Sequence, residues 1–127
     1  MALYKKDATP EVEALYWKVY FATLDTMYEA QGRLLSLENA ATDLGDRSMY
    51  RSERLKVEAN IELLRAKRLA FSSGSQPIEP PTQATVDAVS DLLNKVSGLT
   101  ADRKTASVIL DTATQAMNMF NQVQTLS

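Results

Sequence analysis

Apolar positions recur every three or four residues along nearly the whole chain, the spacing of amphipathic helices rather than of strands. Breaks of turn-forming residues divide the pattern into four runs. The first opens at Thr9 and Pro10, a capping hydroxyl followed by a residue suited to the first helical turn. Glu11 and Glu13 stand where the helix dipole favours anions. This helix is expected over residues 10–44, with Gly45 as the residue that ends it. A second is expected over 47–71, a third over 83–97 behind Thr82 and stopped at Gly98, and a fourth over 100–126 behind Thr100. Between the second and third lies SSGSQPIEPPTQ, residues 72–83, with three prolines and no periodicity. That composition predicts an exposed, mobile linker.

The fold expected is all-α and a single domain: a four-helix bundle of two antiparallel hairpins, the first longer than the second. At 1.5 Å per residue the first helix would run roughly 50 Å and the third about 22 Å, so part of the first hairpin should overhang.

The first run carries apolar bulk on two sides. Projected at 100° per residue, Val12, Leu15, Tyr16, Val19, Met27, Ala30, Leu34, Leu37 and Leu44 form one stripe, with Thr23 and Thr26 among them. Trp17, Phe21, Leu24, Tyr28 and Leu35 form a second, about 140° away, and Tyr20 lies between. The second run repeats the arrangement, with Tyr50, Val57, Ile61, Leu64 and Phe71 opposed by the smaller Leu55, Ala59, Leu63, Ala66, Leu69 and Ala70. One broad apolar face is normal for a bundle helix. The plainer reading is a wide stripe touching two neighbours. The sharper one is that Trp17, Phe21, Leu24, Tyr28 and Leu35 form a surface for self-association or a partner, and the unequal helix lengths favour it.

Composition narrows the chemistry. The 127 residues include no Cys and no His, which removes disulfides, thiolate nucleophiles, Cys/His metal sites and the commonest general base. No catalytic, metal-binding or cofactor-binding residue is expected. Glu58 and Glu62 share a helix face, but four-residue spacing alone is weak evidence for a metal, and Arg54 and Arg65 stand beside them. SSGSQ lacks the pattern of a phosphate-binding loop.

The net charge of −2 is unevenly spread. Over 11–44, Lys18 and Arg33 face Glu11, Glu13, Asp25, Glu29, Glu38 and Asp43, a balance of −4. Over 47–71, Arg47, Arg51, Arg54, Lys56, Arg65, Lys67 and Arg68 face Glu53, Glu58 and Glu62, a balance of +4. A basic helix raises nucleic acid as a ligand, yet the mixed signs on its face would repel phosphates as well as attract them. A solvated, salt-bridged face is favoured, and no nucleic-acid partner is expected. From Thr105 to Ser127 the only charged residue is Asp111, a composition often found in a helix covered on most sides; plain packing within the bundle is the favoured reading.

No apolar run has the length of a membrane span, and the first fifteen residues do not read as a signal peptide. The expectation is a cytoplasmic, non-enzymatic protein-interaction module: an inhibitor, immunity factor, adaptor or small chaperone, binding a protein partner or forming a homodimer, with no membrane partner. The alternative is a structural subunit of a larger assembly, such as a phage or secretion-machine component.

Overall fold

A computed structural model describes residues 1–100, 102 and 104–125. After a short 3-10 turn at Lys5–Asp7, the described residues form four α-helices: α1 (Pro10–Ala40), α2 (Leu44–Ser72), α3 (Gln83–Gly98) and α4 (Ala106–Val123). The chain is all-α, and its first two helices are much the longest.

The helix starts follow local capping chemistry. Thr9 Oγ1 accepts a hydrogen bond from the Val12 amide and Thr82 Oγ1 one from the Thr85 amide, both at 3.2 Å. The first helix stops four residues short of the expected end. Gly45 does not terminate α1; it lies in the first turn of α2, where Asp43 Oδ1 accepts from the amides of Gly45 (2.6 Å) and Asp46 (3.2 Å). An aspartate that caps the next helix outweighs a glycine that could have closed the previous one. Leu44, placed by periodicity on the buried stripe, therefore opens α2 and is exposed. The fourth helix begins at Ala106 rather than residue 100, because Asp102 Oδ1 holds the Lys104 and Thr105 amides in a preceding turn. Ala101, Arg103 and Leu126, which the expected helix includes, lie outside the described residues.

The linker is the larger correction. Its first residues cap α2: Ser75 N donates to Ala70 O and Gly74 N to Phe71 O, with Gly74 at φ +78°. This paired return of amides onto the last turn is a Schellman motif, and it needs the left-handed conformation that glycine adopts freely. Beyond it the chain is strapped across the end of the bundle. Leu3 and Ile78 exchange backbone hydrogen bonds of 2.7 and 2.8 Å, and Glu79 N donates to Val123 O at 2.7 Å. Ile78 is 1% exposed and Pro81 is buried, so the segment is not an exposed linker throughout. Two buried residues, Ile78 and Pro81, anchor it, and isolated apolar positions have no periodicity to reveal them.

Directions follow from which ends meet. The Tyr16 ring lies 4.6 Å from Phe71 and 5.8 Å from Phe120, so the start of α1 meets the ends of α2 and α4. Arg33 donates to the carbonyls of Ser97 and Leu99 at the end of α3. Thus α1 and α3 run one way, α2 and α4 the other. The seven residues of α1 beyond Arg33 project about 10 Å past α3. The core between the helices comprises Tyr16, Val19, Met27 and Leu34 from α1, Val57, Leu64 and Phe71 from α2, Val89 and Val96 from α3, and Ile109, Ala113 and Phe120 from α4. Thr23 and Thr26, inside the apolar stripe, each return the hydroxyl to a backbone carbonyl one turn earlier at 2.7 Å, which satisfies it where water is absent.

At the strapped end lies a buried polar cluster. Tyr16 donates its hydroxyl to Gln124 Oε1 at 2.8 Å, and Gln124 Nε2 donates to Lys67 O at 2.6 Å. Lys67 Nζ donates to Gln124 O at 2.7 Å and to Asn121 Oδ1. Lys67 is 2% exposed and has no carboxylate in ion-pair distance among the described residues. Burial pulls its ammonium below the usual lysine range and pushes the Tyr16 phenol well above the usual tyrosine range.

Candidate functional site

The outer face of the α1–α2 hairpin carries most of the exposed large apolar residues. Of the five residues expected to form an association surface, Phe21, Tyr28 and Leu35 are 52%, 42% and 41% exposed. Trp17 and Leu24 are half-buried and pack on the margin of the core. The five share one side of α1, and the two aspects of that helix are therefore an inner core face and an outer, partly wet one.

The outer face is rigidly built. Trp17 and Phe21, one helical turn apart, stack at 5.8 Å and 27°. Tyr20 meets Trp17 and Phe21 edge-on at 5.8 and 5.2 Å, and Tyr16 meets Trp17 edge-on at 5.7 Å. Such edge-to-face and offset packing is the favoured geometry of aromatic quadrupoles. The exposed ring of Phe21 is thus held, through its neighbours, by the closed core. Arg68 of α2 lies over the Tyr20 ring at 5.9 Å. Burial raises the Tyr20 phenol above its ordinary value, an effect opposed by Arg68 and Arg65.

Tyr28 stands between two shallow grooves. Toward α2 the lining is Gln31, Glu58, Ile61, Glu62 and Arg65. Along α1 it is Glu29, Gly32, Arg33 and Ser36. Gly32 contributes no side chain to this surface, and the space its Cβ would occupy is open. The α2 residues of the first groove are visible in sequence as a mixed-charge face; what sequence does not show is that this face borders the aromatic stripe.

The second apolar stripe of α2 also faces outward, with Leu55, Leu63 and Leu69 exposed. Ser48, Arg51, Ser52, Leu55, Lys56 and Ala59 shape a shallow depression there.

The charged row is partly neutralised within the hairpin. Arg54 donates to Glu38 at 2.7 Å across the two helices and to Glu58 at 2.7 Å along α2. The Arg54 hydrogen bond holds the Glu38 carboxyl below the usual carboxylate range. Glu53 is the opposite case. Its Oε2 is buried without a hydrogen-bond partner among the described residues, and burial raises its carboxyl, with Lys56 opposing and Asp111 reinforcing the shift. Among the described residues, no three acidic side chains stand close enough to hold a metal ion. The sparsely charged α4 exposes Ser107, Asp111, Thr114, Gln115, Asn118 and Gln122, so within one chain it is covered on its inner face alone.

No family model, curated protein or solved structure matches this chain.

Proposed function

We propose that this protein is a non-enzymatic protein–protein interaction module, of the inhibitor, immunity-factor, adaptor or small-chaperone kind, that works through the outer apolar face of its first hairpin. The observation that supports this reading best is the preorganised aromatic ridge, with Phe21 and Tyr28 about half exposed on a helix whose other side is core. Aromatic anchors held rigid before binding lose little conformational entropy on association, and this is the composition of interface hot spots.

The absence of His and Cys fits a role without bond-making chemistry. A role without nucleic acid draws on three of the seven cations of α2: Lys67 is buried, Arg54 is paired twice, and Arg68 packs on Tyr20, while Arg47, Arg51, Lys56 and Arg65 are exposed. A cytoplasmic place of action belongs to the proposal; no helix among the described residues is long and apolar enough to cross a membrane.

The rival reading, a structural subunit, draws on the second exposed apolar face at Leu55, Leu63 and Leu69. Two different adhesive faces on one molecule allow open-ended assembly, whereas one self-complementary face closes into a discrete particle. Immobilised protein and its Phe21→Glu variant, compared for capture of host proteins, test the interaction reading. Loss of every specific capture in both, together with polymers in solution, would favour the structural subunit.

A further inference from the structure

We propose that the outer face of α1 is the docking site for a second copy of this chain, which lies antiparallel across a twofold axis passing between Phe21 and Leu24. This rests on the interaction-module reading and names its partner.

The spacing carries the first step. Pro10, Ala14, Trp17, Phe21, Leu24, Tyr28, Gln31 and Leu35 follow one another at intervals of four and three residues without a break. That alternation is the heptad rhythm of a helix whose outer seam packs along another helix. The inner face keeps the same rhythm at Val12, Tyr16, Val19, Thr23, Thr26 and Ala30, and there the seam is filled by the bundle. The outer seam extends over about 37 Å of helix and faces away from the bundle.

The residue order is self-complementary. In an antiparallel pair, each residue of one seam position meets the other seam position of its partner. Setting Trp17 against Tyr28 of the second copy also sets Phe21 against Leu24, Ala14 against Gln31 and Pro10 against Leu35. Every match then occurs twice, as a twofold axis requires. The middle layers hold the large side chains of both copies, and the smaller Ala14 and Pro10 face Gln31 and Leu35 toward the ends.

Charge fits the same register. Lys18 and Asp25 are exposed on the solvent edge of the seam, and neither has an ion-pair partner within the chain among the described residues. The antiparallel match brings Lys18 beside Asp25 of the second copy, again twice. On the inner edge, Glu58, Glu62 and Arg65 of α2 carry both signs. The outer face of α2 is the thinner of the two, with Ala59 and Ala66 between the exposed Leu55, Leu63 and Leu69 and no aromatic ring.

Mass measurement by light scattering or sedimentation tests the proposal on the full chain. A dimer at micromolar concentration is expected, and Phe21→Glu should convert it to a monomer with unchanged helical circular dichroism. Lys18→Glu and Asp25→Lys should each weaken the homodimer about tenfold at low salt, since each places two like-charged pairs at the rim. Mixing these two variants should restore wild-type affinity as a heterodimer. The introduced glutamate of one copy then meets the introduced lysine of the other, while the native Asp25 meets the native Lys18. Rescue by mixing excludes a merely structural effect of either variant. A dimer that ignores Phe21→Glu, or reversals without rescue, overturns the assignment of this face or register. A monomer at every concentration overturns the second copy as occupant. If that monomer captures a host protein in a Phe21-dependent way, the interaction reading survives; if it captures none, both fall.

Discussion

Tyr16 offers a single-atom probe of the closed end. Tyr16→Phe removes one oxygen and leaves a ring that still packs on Phe71 and Phe120. The lost hydroxyl donates to Gln124 Oε1, and both residues are buried, at 0% and 1% exposure. Losing a neutral hydrogen bond costs about 1 kcal/mol, and leaving a buried acceptor unpaired raises the figure toward about 2 kcal/mol. For a domain of this size, that is a fall of roughly 5 °C in melting temperature. Urea titrations followed by circular dichroism and by Trp17 fluorescence measure it. One further readout separates the hydrogen bond from mere packing, and a second reports the burial of the phenol. In a Gln124→Leu background the tyrosine hydroxyl has already lost its acceptor, so Tyr16→Phe should become neutral or stabilising. The second readout is alkaline pH. Burial raises the folded phenol above the unfolded value of about 10, so the unfolded chain releases this proton first. Stability tied to Tyr16 is therefore complete below pH ~10 and declines as pH rises beyond it, and the gap between wild type and Tyr16→Phe should narrow there. A cost under about 0.5 kcal/mol, or the same cost in both backgrounds, would refute the hydrogen bond and its energetic weight.

Glu53→Gln should stabilise the fold by about 0.5–1 kcal/mol at neutral pH, where a partly buried carboxylate oxygen without a partner is a liability. Since burial raises the Glu53 carboxyl, its contribution is favourable below the unfolded pKa of about 4.5 and is lost as pH rises, so wild type and variant should converge in acid; equal melting curves at pH 7 would count against this. Two glycines should respond with opposite signs to alanine. Gly74→Ala forces a side chain into φ +78° and should cost about 1 kcal/mol, whereas Gly32→Ala, mid-helix with open space at its Cβ, should gain about 1 kcal/mol, both by thermal denaturation.

The helices were legible because periodicity and caps agree: Thr9 and Thr82 lie where the chain needs an acceptor, and the buried stripe Tyr50, Val57, Ile61, Leu64, Phe71 is the one the spacing marks. Boundaries failed where two signals competed, as at Gly45 and Asp43, since sequence does not rank a possible stop against a possible start. Ile78 gives no signal in the sequence, because an isolated apolar residue among prolines and serines has no pattern. Lys67 was hidden by its charge, although it stands three residues after Leu64 and four before Phe71, in register with the core. Its acceptors, Gln124 and Asn121, are more than fifty positions away and become visible only once α4 is seated. The aromatic ridge was readable as a stripe; the Arg65 and Glu62 neighbours that border it depend on how the two helices lie together.

The bond between Tyr16 and Gln124 joins residues 108 apart, which sets a timetable for synthesis. A chain emerging from the ribosome presents α1 and α2 long before the residues that close their common end exist. At about 5–20 residues per second, the interval between Ser72 and Gln124 lasts on the order of 3–10 s. Throughout it Tyr16, Phe71 and the Lys67 ammonium lack the α4 groups that cover them. The nascent hairpin must therefore be shielded, or reversibly collapsed, until its last helix arrives.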